Sequence, residues 1–525
     1  MSVRIAPDRP AAQRRSDFAR VGQGAATSLI GTTLASLTGL VITMLMTRTL
    51  GAGPYGAIAV SLSVAGLAQQ FTNLGLANGA ARMMAFARAD GDDPRAIRLL
   101  RAGLLLGTLT GVVGTGAVLA VGAAGLIRGF GTSTALMIIS PVVIASALRS
   151  VLSGALRAYR DLRAIFILGI ARPAVDLLLV GGLVAAGFRD LAPFAAALVA
   201  SAYVDLVLVT AFARRRRSIG PLLDTTRADL RTLLTFSVPL VVSQLLFFAI
   251  KSSDVLLLGV LRSPVEAGLY SPVMRLSEAA SRVLSAFPVL FVPIVTAYVA
   301  RHRTEQVRDL YLSATKWGYA LGFPVILVLA AVPSQVLPLL FGPSYGRMDG
   351  VARILVAGYW VTVVTGLNGV TLSAIGAVKP MATFAAAGMA INLGLGLTLI
   401  PRFGPAGAAW SNTLSYLFVN TAYSVLLFRH ARIHPFRRDT VSLFGFSGVV
   451  LALTVAAATL AGGRGRDVAI GVGAAGVAVW LAGALFGRPF RMEWDDIRQM
   501  VRLRRREAAQ ADAPPPGPDA GSPAT

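Results

Sequence analysis

Long apolar runs recur along the whole chain and constrain its fold more than any other feature. A transmembrane helix needs roughly 20 consecutive apolar residues, and fourteen runs of about this length stand between short polar connectors. Only 14% of the 525 residues are charged, against about 25% in soluble domains, and the mean hydropathy is +0.68. The sequence therefore predicts an all-α polytopic membrane protein with fourteen transmembrane helices.

The distribution of basic residues predicts the orientation of these spans. The fourteen spans are predicted at residues 22–47, 55–81, 102–127, 133–156, 164–188, 191–213, 233–261, 267–299, 310–332, 350–376, 380–400, 405–428, 440–461 and 468–487. With a cytoplasmic N-terminus, the cytoplasmic segments hold 34 Lys and Arg residues and the outer connectors hold 8. Basic residues collect in cytoplasmic loops, so both termini are predicted on the cytoplasmic side of a bacterial plasma membrane. The membrane also explains the net charge of +24, and no nucleic-acid partner is expected.

Three short motifs recur at nearly constant spacing. GPYG around Tyr55 matches AGLY at Tyr270, LSG at 152–154 matches LNG at 367–369, and APFAAA at 192–197 matches GPAGAA at 404–409. The first two matches are 215 residues apart and the third is 212 residues apart. The offset covers six helices, an even number, so the two copies have the same orientation, as in transporters built from parallel repeats. Two six-helix lobes are predicted, with two extra C-terminal helices.

The predicted segments follow from this repeat. They are a cytoplasmic tail (1–21), an N-lobe (22–213), a basic linker (214–232), a C-lobe (233–428), the extra helix pair (440–487), a basic amphipathic helix (488–510) and a disordered Pro-rich tail (511–525). The amphipathic helix carries arginines around an apolar face, which suits binding to the anionic lipids of the inner leaflet.

Residues 47–82, TRTLGAGPYGAIAVSLSVAGLAQQFTNLGLANGAAR, resemble the first hairpin of polysaccharide-export flippases. These belong to the multidrug/oligosaccharidyl-lipid/polysaccharide (MOP) superfamily. Two further stretches resemble the same flippases: residues 336–346, VLPLLFGPSYG, and residues 400–411, IPRFGPAGAAWS. The resemblance implies a two-lobed alternating-access fold that moves undecaprenyl-pyrophosphate-linked sugars outward. Lipid II flippases and drug antiporters are relatives, and the antiporters usually have twelve helices.

Charged residues inside the C-lobe spans predict a binding site for an anion. Lys251 and Asp254 share a face of the seventh span, and Arg275, Glu278 and Arg282 share a face of the eighth. A charge at the centre of a span costs about 2.5–3.5 kcal/mol or more, so it is expected to be paired or functional. Lys251, Arg275 and Arg282, together with Arg48, are predicted to contact the substrate, and Asp254 and Glu278 to form an ion network in the same cavity. A neutral salt-bridge belt is the alternative.

The N-lobe carries a second charged set. Arg172 and Asp176 lie at positions i and i+4 of the fifth span, and Asp205 lies at similar depth in the sixth. The three residues are predicted to form a structural ion network or a site for a coupling ion, Na⁺ or H⁺. The basic residues nearer to span ends, Arg149, Lys316 and Arg353, are expected to extend to the membrane surface.

Polar uncharged residues complete the predicted site. Gln69, Gln70, Asn73 and Gln244 are expected either to bind sugar hydroxyls or to bond neighbouring helices. The chain has no cysteine and only three histidines, all in polar connectors, so neither a metal site nor a cofactor is predicted. No P-loop or DxD-type cluster occurs and the outer connectors are short, so the chain is predicted not to be an enzyme.

Together these features favour an alternating-access flippase. Its predicted cargo is a polyprenyl-pyrophosphate-linked oligosaccharide for cell-surface polysaccharide synthesis. The alternatives are a lipid II flippase, a cation-coupled drug antiporter of the same superfamily, and a transport-inactive scaffold for the polysaccharide assembly machinery.

Overall fold

The computed structural model is built from α-helices, which agrees with the predicted fold class. It describes residues 34–73, 75–127, 129, 131–159, 161–216, 225–461 and 466–486. The predicted N-terminal tail, amphipathic helix and Pro-rich tail lie outside these residues. The α-helices are α1 (Leu34–Leu50), α2 (Ala52–Asn73), α3 (Leu76–Ala89), α4 (Asp93–Ala123), α5 (Thr132–Ile139), α6 (Val142–Ala158), α7 (Leu162–Ala185), α8 (Leu191–Arg216), α9 (Arg227–Leu261), α10 (Pro264–Arg282), α11 (Pro288–Ala300), α12 (Thr304–Ala331), α13 (Pro333–Phe341), α14 (Asp349–Thr365), α15 (Asn368–Ala374), α16 (Val378–Phe403), α17 (Pro405–Ala431), α18 (Arg438–Ala461) and α19 (Arg466–Phe486).

Each predicted span coincides with one helix or with two helices that meet at a break. Within the described residues, nine helical segments are long and apolar enough to cross a membrane, so the number fourteen stays a prediction. Capping residues define the helix starts. Asp92 accepts a hydrogen bond from the Arg95 amide at the start of α4, and Thr226 and Asp229 form a capping box at the start of α9.

The breaks fall in the same two spans of each half, at equivalent positions in the second span but at different positions in the fourth. The second and fourth predicted spans of each half consist of two helices: α2 with α3, α5 with α6, α10 with α11, and α14 with α15. Gly75 and Gly366 adopt positive φ angles of 65° and 62° at two of these breaks, a conformation that glycine adopts without steric cost. A break frees backbone carbonyls, and the Thr110 hydroxyl donates to one of them, the carbonyl oxygen of Thr72, at 2.7 Å.

The helix boundaries repeat as the motifs do. The helices α2 and α10 begin at Ala52 and Pro264, α7 and α16 at Leu162 and Val378, and α8 and α17 at Leu191 and Pro405. These starts are 212, 216 and 214 residues apart. Three pairs of helices therefore recur at nearly the same offset, and α18 and α19 follow the second copy. Superposition of the two lobes by a rotation about the membrane normal stays a prediction.

The two halves meet where α2 crosses α10. A methyl group on Gly56 would lie 1.8 Å from the Pro264 carbonyl oxygen, and one on Gly268 would lie 2.0 Å from the Ala52 carbonyl oxygen. Gly56 and Gly268 are 212 residues apart, as are Ala52 and Pro264, so the contact is reciprocal, as at a two-fold axis. The alignment of Tyr55 with Tyr270 is therefore wrong by three residues at this crossing, and the Tyr55 hydroxyl instead lies 3.3 Å from the Ser271 hydroxyl.

Connectors predicted on the same side of the membrane contact one another. On the predicted outer side, an Arg262 nitrogen donates to the Pro401 carbonyl at 3.2 Å. On the predicted cytoplasmic side, an Arg88 nitrogen donates to the Ala158 carbonyl at 3.0 Å, and Arg98 lies 3.6 Å from the Asp229 carboxylate. The contacts therefore agree with the prediction that successive connectors alternate between the two sides of the membrane. Which side faces the cytoplasm stays a prediction.

Candidate cationic cavity between the two halves

A cavity of about 250 Å³ lies between α1 of the first half and α10 and α12 of the second. Its charged lining consists of Arg275 and Arg282, which are seven residues apart and therefore lie on the same face of α10. The rest of the lining is apolar or weakly polar, and it comprises Ser36, Leu37, Gly39, Leu40, Ala279, Val283, Ser285 and Val325. Two arginines in a largely apolar cleft favour an anionic ligand.

The acid beside this cavity in the described part of the chain, Glu278, does not cancel the charge of the cavity. Glu278 accepts a hydrogen bond from Arg282 at 2.8 Å, but its side chain is only 13% exposed whereas that of Arg282 is 40% exposed. The pair therefore presents its guanidinium group to the cavity. Arg275 is exposed, and within the described part of the chain no ion-pair partner is found for it. Because Arg presents several donors in one plane, both residues suit a phosphate oxygen.

Asp254 does not line this cavity, and its predicted place in an ion network with Glu278 stays a prediction. Asp254 is 1% exposed. Its carboxylate accepts hydrogen bonds from the Tyr270 hydroxyl at 3.0 Å, the Asn412 amide at 2.7 Å and the Asn392 amide at 3.3 Å. The burial of Asp254 and its three neutral hydrogen-bond donors explain why its carboxylate does not face the cavity. Asn392 in turn accepts a hydrogen bond from the Ser253 hydroxyl at 2.7 Å.

Two further residues of the predicted site lie in α9. The side chains of Lys251 and Gln244 are outside the described residues, so their predicted contacts with substrate stay predictions.

Arg48 is not among the residues that line this cavity, and its predicted contact with the substrate stays a prediction. It lies at the end of α1, on the predicted outer side, and donates to the backbone carbonyl of Leu339 in α13. This position follows from the place of Arg48 in the last turn of α1, which ends at Leu50. The Arg48 side chain therefore joins outer connectors and does not line the cavity.

The predicted N-lobe network is present and includes one residue that the sequence analysis missed. Arg172 lies 4.0 Å from Asp176 and 3.9 Å from Asp205. Arg149, which was expected to extend to the membrane surface, forms an ion pair with Asp205 instead. The mid-span position of Asp205 was the available signal, because a buried carboxylate needs a cation and two were within reach in neighbouring helices.

The two other residues expected at the membrane surface, Lys316 and Arg353, differ in their exposure. Lys316 is 6% exposed and therefore buried, contrary to the prediction. Arg353 is exposed and bonds to Asp349 at 3.4 Å at the start of α14, as a residue near a span end does.

The polar residues of α2 lie beside its break. Gln69, Gln70 and Asn73 are half-buried, and the buried side-chain oxygen of Asn73 has no hydrogen-bond partner among the described residues. They line neither the cavity described above nor the apolar groove between α2 and α4. Their predicted contact with sugar hydroxyls stays a prediction.

Comparison with known proteins identifies the family. The family model described as polysaccharide biosynthesis protein matches residues 21–301. The chain belongs to this family. Among curated proteins, none matches.

Solved structures of the MOP superfamily share the fold. A lipid II flippase, MurJ, in an inward closed conformation is 12% identical with a TM-score of 0.65, over 87% of this chain and 98% of that chain. An inward-facing multidrug resistance MATE transporter of the MOP superfamily is 16% identical with a TM-score of 0.64, over 78% and 97%. A MOP superfamily transporter from Pyrococcus furiosus Vc1 (DSM3638), described as having a binding pocket of reverse polarity, is 15% identical with a TM-score of 0.53, over 78% and 94%.

Proposed function

We propose that the protein is an alternating-access flippase that moves a polyprenyl-pyrophosphate-linked oligosaccharide from the cytoplasmic to the outer leaflet. The observation that carries this proposal is the cavity between the two halves, whose lining in the described part of the chain includes Arg275 and Arg282 and no acidic side chain. A pyrophosphate brings about two negative charges, and guanidinium groups in a water-poor cleft offset such charge strongly. Membership of the polysaccharide biosynthesis family supports a glycan as the cargo.

The apolar lining of the cavity suits the lipid part of this cargo. The exposed side chains Leu34, Leu37 and Val41 continue along α1 from the cavity lining. A polyprenyl chain that remains in the bilayer can follow this surface while the charged headgroup occupies the cleft. On this proposal the headgroup avoids the hydrocarbon, which a charged sugar cannot cross unaided.

The helices α18 and α19 are attached to the cavity wall. Trp480 of α19 donates to the Ser447 hydroxyl of α18 at 2.8 Å, and its ring lies 5.0 Å from that of Phe323 in α12. Val325 of the same α12 lines the cavity. We propose that this attachment lets the extra pair guide the lipid tail.

Two alternatives concern the cargo. A lipid II headgroup also carries a pyrophosphate, and the chain spans 98% of the MurJ flippase chain, so a cell-wall precursor is the second candidate. A drug antiporter takes cationic cargo and is expected to present carboxylates, whereas this cavity presents arginines. Competition between the two pyrophosphate-linked lipids for the purified protein separates the first two candidates.

A binding experiment tests the proposal. The purified full-length protein and its R275Q/R282Q variant are titrated with a polyprenyl-pyrophosphate-linked oligosaccharide in detergent, and the dissociation constants are compared. Each lost charge-assisted hydrogen bond is worth about 1.5–3 kcal/mol, so binding is expected to weaken at least about tenfold. The control variant R353Q removes an exposed arginine at the start of α14 and leaves binding unchanged. Equal affinity of R275Q/R282Q and the control would refute the proposed site.

A further inference from the structure

A second polar cavity lies in the C-lobe, away from the one described above. It has a volume of about 380 Å³ and is formed by three segments predicted on the cytoplasmic side: the α11–α12 turn, the end of α15 and the α17–α18 turn. Its polar lining consists of His302, Thr304, His430 and Arg432. Its apolar lining includes Val307 and Ile433. Two of the three histidines of the chain therefore meet in one pocket.

The backbone at this pocket adopts an uncommon conformation twice. His302 and Arg432 both have φ = 55°, and within the described residues they are the non-glycine residues with positive φ. This region disfavours side chains with a Cβ atom. Each residue ends a helical segment there, and each contributes its side chain to the same cavity.

The hydrogen bonds of these residues leave donors available to a ligand. His430 Nδ1 lies 3.0 Å from the Leu426 carbonyl oxygen. A carbonyl oxygen only accepts, so Nδ1 carries a proton, and Nε2 faces a ligand as an acceptor in the neutral ring and as a donor when it too is protonated. The Arg432 guanidinium lies over the Phe428 ring at 5.2 Å, a contact that leaves the N–H groups at its edge free to donate.

The charge around the pocket is positive. No acidic side chain is among its lining residues in the described part of the chain. Nearby, Arg301 and Arg303 flank His302, and Glu305 lies in the first turn of α12. Asp309, one turn farther along, is 3.5 Å from Arg437. An anion in this pocket would therefore meet donors from two turns and a surplus of arginine.

We propose that this pocket binds a phosphate group at the cytoplasmic surface of the membrane. The Arg432 guanidinium is the charged donor, the Thr304 hydroxyl is a neutral donor, and His430 Nε2 donates to the phosphate when the ring carries a second proton on that atom. A bound phosphate would join the α11–α12 turn to the α17–α18 turn. It would thereby connect the ends of α11 and α17, which are predicted to lie on the cytoplasmic side. The site is separate from the substrate cavity and is a candidate for regulation by a phospholipid headgroup or by free phosphate.

Thermal unfolding of the full-length protein in neutral detergent tests this site, with tryptophan fluorescence as the readout. One arm adds sodium phosphate against sodium chloride of equal ionic strength. The other adds phosphatidylglycerol against phosphatidylcholine. The test variant is H430Q/R432N, in which asparagine removes the charge and tolerates φ = 55°. The matched controls R429Q and K379Q remove exposed basic residues outside the pocket.

We expect a saturable rise in Tm in at least one arm, with an apparent Kd at least about tenfold weaker in H430Q/R432N and unchanged in both controls. A rise with sodium phosphate identifies free phosphate as a ligand, and a rise with phosphatidylglycerol alone identifies the headgroup. If H430Q/R432N does not fold, H302N in the α11–α12 turn serves as the test variant. No rise in either arm, or a rise that the pocket variants do not weaken, would overturn the proposal.

Discussion

The carboxylate of Asp205 is 1% exposed and lies beside Arg149 of α6 and Arg172 of α7. One of its two oxygens has no hydrogen-bond partner within the described part of the chain. Two arginines and the two acids Asp176 and Asp205 thus form a compact network inside the N-lobe. Removing one partner from such a network is strongly destabilising, because the remaining charge is left in a medium of low polarity.

The first prediction follows from the cost of leaving one charge of this network without its partners. R149Q/R172Q leaves Asp205 without a cation and is expected to lower the free energy of unfolding by about 3–5 kcal/mol. Adding D205N to that variant removes the stranded charge, so the triple variant is expected to unfold at a higher temperature than the double variant. Thermal melts in detergent measure both, with R163Q as an exposed control. A triple variant that is less stable than the double variant would contradict the network.

Asp254 leads to a second prediction. D254N places an amide among three donors, from Tyr270, Asn392 and Asn412. It is expected to cost about 1–3 kcal/mol of stability, because buried donors lose their acceptor. Adding N412D supplies a new acceptor and is expected to recover part of the loss. Unfolding temperatures that are equal for the wild type and D254N would show that the carboxylate is not required by these donors.

At the level of helices, the contact between α2 and α10 depends on two glycines. A valine at Gly268 would overlap the Ala52 carbonyl oxygen, to which even a methyl group would come within 2.0 Å. G268V is therefore expected to cost at least about 1–3 kcal/mol of stability. As a control, G116A adds a methyl group where no atom lies within 4 Å. It is expected to be neutral or to stabilise α4 by about 0.5–1 kcal/mol.

Crosslinking reports on the same crossing. The chain has no cysteine, so Y55C/S271C provides a single thiol pair across α2 and α10 for a short bifunctional reagent. We expect efficient crosslinking in the Y55C/S271C protein and a clear loss when G268V is added. Crosslinking that G268V leaves unchanged would mean that the helices cross elsewhere.

The helices themselves could be predicted from the sequence because apolar runs and connectors alternate clearly. The breaks could not, since they depend on which side chain satisfies a freed carbonyl, as Thr110 does for Thr72. The Arg172 network was predicted because i and i+4 positions fix one face. The partners of Asp254 were missed because Asn392 and Asn412 lie about 140 to 160 residues away in sequence. Polar amides in the middle of apolar runs were the available signal.

For the whole molecule, the orientation in the membrane is a further prediction. Lys379 and Arg402 are exposed and lie at opposite ends of α16. A membrane-impermeant maleimide added to intact cells is expected to label R402C and to label K379C only after the membrane is opened. The parent chain serves as the unlabelled control because it has no cysteine. The reverse labelling pattern would invert the proposed direction of transport.

The membrane potential is expected to drive both halves of the transport cycle. Outward movement of an anion toward the positive side is favoured by about 2.3 kcal/mol per charge per 100 mV for a full crossing. The empty carrier returns with Arg275 and Arg282 moving inward, which the same potential also favours. A coupling-ion gradient is then unnecessary, although the Arg172–Asp176–Asp205 network remains the candidate site if one is needed.

Transport of a polyprenyl-pyrophosphate-linked oligosaccharide into proteoliposomes with a potassium-clamped potential is the most direct test of the cationic cavity. We predict that transport accelerates as the cytoplasmic side becomes more negative. R275Q/R282Q is predicted to slow it and flatten its voltage dependence, while R353Q behaves as wild type. Transport that ignores the potential, requires a Na⁺ or H⁺ gradient and is unchanged in R275Q/R282Q would contradict the account.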